Sequence, residues 1–110
     1  MTTKYGQYSS NQISSTKSHI RKSIFFLLLY VDPKTKDEYP DIDVVEAFHN
    51  LQYKLNGLNS ILHEPPELVE TMSLLESALI EFQSECFDFK KYRKLILDAG
   101  SEILKVKEGD

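Results

Sequence analysis

A chain of 110 residues, 41% hydrophobic and 27% charged, makes one domain of ordinary size that can bury a core without metal or disulfide staples, and it excludes disorder of the whole chain. A single cysteine, Cys86, excludes an internal disulfide and suits a reducing cytoplasm. A formal net charge of -4 argues against non-specific nucleic-acid binding.

Residues 1–12, MTTKYGQYSSNQ, are polar and without period, and read as a flexible tail ahead of a single domain over 13–108. The first helix is expected from about Ser14 to Val31, with Ser14, Ser15 or Thr16 as its cap. Ile13, Ile20, Ile24, Leu27 and Val31 share a stripe, while Phe25, Phe26, Leu28, Leu29 and Tyr30 fill the other sides. The basic HIRK before SIFFLLLY has the order of a membrane signal. Its apolar run of eight residues, Ile24 to Val31, is far short of the roughly 20 that a span requires. It ends in Val31-Asp32-Pro33-Lys34 and not in a small-residue cleavage site, which argues for a core helix. The C-terminal half of this helix is expected to be the most buried part of the fold, with an exposed Phe25 or Leu29 marking a partner or membrane-contact surface instead.

Asp32–Pro40 is a charged loop with two prolines, and Asp41 stands where a cap belongs. In the second helix Val44, Phe48, Leu51, Leu55, Leu58 and Leu62 recur at intervals of 4, 3, 4, 3 and 4, widened by Val45, Tyr53 and Ile61. Gly57, inside it, implies close packing or a kink. Pro65 or Pro66 opens a third helix, whose seam reads Leu68, Met72, Leu75, Leu79, Phe82 and Cys86, so the thiol is expected to be buried and inert. Asp88 caps a fourth, with Phe89, Tyr92, Ile96, Ala99, Ile103 and Val106 on its seam and Leu95 and Leu104 beside it. No stretch alternates with period two. The expected fold is all-α, an antiparallel up-down-up-down four-helix bundle.

Catalytic and metal constellations are weak. Glu46-x-x-His49 resembles half of a di-iron motif, but it occurs once and Phe48 on the seam turns both residues away from the core. His63, Glu64 and Glu67 at a turn, and His19 beside Arg21, read as solvated. There is no glycine-rich phosphate loop and no nucleophile–base order with recognisable flanks. No catalytic, cofactor or metal site is expected, and the chain reads as a non-enzyme.

Charge is distributed more tellingly. No Lys or Arg lies between Lys54 and Lys90, where Glu64, Glu67, Glu70, Glu76, Glu81, Glu85 and Asp88 accumulate and give the third helix an acidic outer face, whereas Lys17, Arg21 and Lys22 precede any acid, and Lys90, Lys91, Arg93 and Lys94 open the fourth helix. Neighbouring acidic and basic helices would steer each other, and the basic start of helix four would meet a protein or lipid surface.

Three stretches resemble the enterocin A-type immunity proteins, which protect producers of pediocin-like (class IIa) bacteriocins. They are LYVDPKTKDEYPDIDVVEAFHNLQYKL, EPPELVETMSLLE and FDFKKYRKLILDAGSEI, together about two thirds of the chain. The resemblance implies a cytoplasmic antiparallel four-helix bundle without catalysis or cofactor. It acts at the inner face of the membrane, where it engages the mannose phosphotransferase permease carrying bound bacteriocin. Carried over by region and charge, it implies partner-binding residues Lys90, Lys91, Arg93, Lys94, Lys105 and Lys107. It admits a peripheral membrane contact and a monomer or weak homodimer. The chain departs from the family in a longer polar lead and a shorter segment after helix four. The other reading is a helical adaptor or regulatory interaction module that buries its first helix against a partner.

Overall fold

Four helices account for about two thirds of the residues that the computed structural model describes, which are 2–3, 6–7 and 10–106, with side chains from residue 14 onward. They are α1 (Ser10–Leu29), α2 (Val44–Ile61), α3 (Pro66–Phe82) and α4 (Phe89–Ile103). They form the expected four-helix bundle. α1 packs on α2 and α4, α3 packs on α2 and α4, and the α3–α4 contact is the most extensive. Ahead of α1 a two-residue ladder pairs β1 (Thr2–Thr3) with β2 (Gly6–Gln7) antiparallel. The expected flexible tail falls in part on residues outside those described, namely 1, 4, 5, 8 and 9.

The seams of α2 and α4 hold as read. Phe48, Leu51, Leu55, Leu58 and Leu62 are buried, and so are Tyr92, Ile96, Ala99, Ile103 and Val106. Val44 and Phe89, at the start of each, are half-buried. The α3 seam is rotated from its expected position. Leu68, Thr71, Leu75 and Ala78 are buried, while Met72, Leu79 and Phe82 are only partly so. Thr71 and Ala78 are small side chains on this buried face, and Thr71 Oγ1 donates to the Glu67 carbonyl at 2.8 Å.

Helix ends explain the other departures. α1 begins at Ser10, ahead of the expected caps, and stops at Leu29 before Asp32-Pro33. The loop that follows contains a short 3-10 turn, Lys36–Glu38. Asp43 and not Asp41 caps α2, accepting from the Glu46 N–H at 3.1 Å. Asp88 caps α4 as expected, accepting from the Lys90 N–H at 3.0 Å, and Pro66 occupies the first position of α3. α3 ends at Phe82, so Cys86 lies in the connection beyond it and is exposed. The seam spacing overshoots the end of the helix, and the expectation of a buried thiol is corrected. Tyr53, expected to widen the α2 seam, is 81% exposed. Among the described residues outside its own turn, none comes within 4 Å of a Cβ added at Gly57, so it serves no close packing there, and α2 runs through it unbroken. At the α2–α3 turn His63 and Glu64 both adopt positive φ, 64° and 57°, and the Glu64 N–H closes on the Asn59 carbonyl at 2.8 Å.

Candidate functional site: the α1–α4 face

α1 and α4 cap each other. The last carbonyls of a helix lack partners within it. At the end of α1 the backbone N–H groups of Val31 and Asp32 both turn to Leu28, which leaves the Leu27 carbonyl to the Tyr92 hydroxyl at 2.7 Å. Thr35 Oγ1 donates to the Leu29 carbonyl at 2.7 Å. At the far end Lys17 Nζ donates to the Leu104 and Val106 carbonyls, at 3.2 and 2.6 Å. An ammonium at a helix C-terminus also favours the dipole. Tyr92 is wholly buried among Phe48, Phe82, Phe87 and Phe89, and this burial pushes its phenol pKa well above the ordinary value.

The outer side of this helix pair is not filled. A groove of about 480 Å³ runs between α1 and α4. Buried Ile24 and Ile96 form its floor, Phe25 and Leu97 its apolar walls, and Arg21 and Lys22 its charged rim. Phe25 is 51% exposed and Leu97 39%. The expectation that the C-terminal half of α1 is the most buried part of the fold is therefore corrected at Phe25. Ile24, Leu27 and Leu28 are core, and Phe26 and Tyr30 pack with Tyr39 of the loop, but Phe25 is left to solvent. The reason is geometric: α1 has two neighbours and an apolar surface wide enough for more. Tyr92, Lys17 and Gly100 were not singled out as site residues from the sequence. Lys17 falls between Ile13 and Ile20 on the α1 stripe, a position on the core side that does not by itself name its carbonyl partners.

Of the residues expected to bind a partner, Lys90, Lys91, Arg93 and Lys94 are all exposed on the first turns of α4. Lys91 approaches Glu81 of α3 at 3.9 Å, the single ion pair between the acidic and basic helices among the described residues. Lys105 bonds Glu102 at 3.1 Å and stands about 16 Å farther along the helix axis, so it is not brought to the other four. Lys107 lies outside the described residues. Glu46, His49, His19, His63 and Glu64 are exposed, and Glu67 is half-buried. Among the described residues there is no group of three His, Cys, Asp or Glu side chains placed to hold a metal, and no helix long and apolar enough to cross a membrane. No protein-family model, curated protein or solved structure matches the chain.

Proposed function

We propose that this chain is an immunity protein of the enterocin A type. It protects the cell from a pediocin-like bacteriocin by engaging the bacteriocin-bound mannose permease from the cytoplasmic side, as a binding protein without catalysis. The observation that carries the reading is the cation cluster on the first turns of α4. Lys90, Arg93 and Lys94 are exposed there, with no acidic partner among the described residues. Unpaired surface cations in one place favour rapid, oriented encounter with an acidic protein surface. The three stretches of residue resemblance and the four-helix architecture that they imply stand beside it.

Expression in a bacteriocin-sensitive strain tests the proposal. The expected outcome is survival of at least one pediocin-like peptide, lost when Lys90, Arg93 and Lys94 are all replaced by Glu. Unchanged survival across a broad panel, with the protein folded and abundant, rejects it. The helical-adaptor reading is favoured by a different observation, the exposed Phe25 and Leu97 of the α1–α4 face. It expects a stable complex or homodimer in light scattering at micromolar concentration, and a strict monomer counts against it.

A further inference from the structure

We infer that the α1–α4 groove is a docking site for an acidic amphipathic helix of another protein. The site is distinct from the basic start of α4 and does not depend on the immunity reading. Three features of the groove select this occupant.

The first is shape. A channel between two antiparallel helices, with an apolar floor and the walls Phe25 and Leu97, accepts apolar side chains that recur at helical spacing from a third helix. The second is room for a backbone. At Gly100 an added Cβ would meet, among the described residues of other elements, only Ile24 Cγ2, at 4.0 Å. A glycine at that place lets another helix come close.

The third is charge. Among the described residues Arg21 and Lys22 are the only charged ones that line the groove, and neither has an acidic partner there. The acidic face of the bundle cannot neutralise this rim, because α3 packs on α2 and α4 and stands diagonally from α1. A helix that offers leucines to the floor and carboxylates to the rim is complementary on both counts. An anionic lipid surface fits less well. The apolar floor is concave, and a chain of net charge -4 is repelled by such a surface as a whole.

Fluorescence polarisation on the full chain tests the inference. The probe is a labelled synthetic helix with leucines on one face and glutamates on the other. It is expected to bind saturably, and the same helix with lysine for each glutamate to bind about tenfold more weakly or worse. Arg21→Glu with Lys22→Glu should reverse that preference, while Lys34→Glu with Lys36→Glu, an equal charge change on the distant loop, leaves affinity within about twofold. Gly100→Leu should fold, since its Cβ has space and leucine favours helix, yet weaken the acidic probe by about tenfold or more by filling the groove. Absence of saturable binding, equal binding of the two probes, or a folded Gly100→Leu that binds like the parent overturns the inference. So does displacement of the acidic probe by phosphatidylglycerol vesicles that co-sediment with the protein, which would make the groove a lipid contact. A failure of bacteriocin protection alone leaves these readouts untouched and falls on the proposed function instead.

Discussion

Tyr92 joins three roles in one side chain. Its ring is the centre of the aromatic cluster where α3 meets α4, its hydroxyl caps α1 through the Leu27 carbonyl, and its phenol is held protonated by burial. Removing only the hydroxyl leaves that carbonyl without its donor. Tyr92→Phe is therefore expected to cost about 1–3 kcal/mol at neutral pH, measured by urea unfolding. The alkaline limb carries a second signature. A phenol whose pKa is raised on folding stabilises the folded state below its unfolded value of about 10, and that contribution is lost as the pH climbs toward the folded value. Above pH 10 the parent should lose stability faster than Tyr92→Phe, by up to about 1.4 kcal/mol per pH unit. Parallel curves for the two proteins would show that the phenol ionises as readily in the folded state as in the unfolded chain, contrary to its burial.

Three of the helices are begun by a local signal, and two are ended by a distant one. Asp43, Asp88 and Pro66 start α2, α4 and α3 from within their own segments, which is why these starts are close to legible in the chain. The ends of α1 and α4 rest on Tyr92 and Lys17, donors separated from the carbonyls that they serve by 65 and 87 to 89 positions. No local pattern announces such partners. The interior of α2 offers the clearest element-scale test. Gly57 lies in an unbroken helix with nothing near its missing Cβ, so it contributes only backbone entropy to the unfolded state. Gly57→Ala should stabilise by up to about 1 kcal/mol, read as a higher urea midpoint with an unchanged slope. Destabilisation would mean that α2 needs to bend there.

For the whole molecule, the decisive quantity is how much of the apolar surface four helices can cover. Leu28 is 6% exposed and sits with Leu27 in the shared core of the bundle. A carboxylate at that position has no partner, and burying it costs more than a domain of ordinary stability can lose. Leu28→Asp should abolish the cooperative thermal transition in circular dichroism; a variant that still unfolds cooperatively would place Leu28 outside the core. Phe25, three residues earlier, lies on the uncovered side of the same helix. Each helix of this bundle has two neighbours, so a segment apolar all round must leave one flank to water or to a partner. That flank is the groove with Arg21 and Lys22 on its rim.

Periodicity and end signals therefore determined the bundle, the seams of α2 and α4, the Asp88 cap and the entry of α3 at its prolines. These follow from spacings within one segment, where 3.6 residues per turn leaves little choice of face. Rotation of the α3 seam onto Thr71 and Ala78, exposure of Cys86, and burial of Lys17 beneath the end of α4 were decided by how closely the helices approach and where each one stops. So was the groove, because whether an apolar side chain is core or surface depends on the neighbours that the other helices leave it.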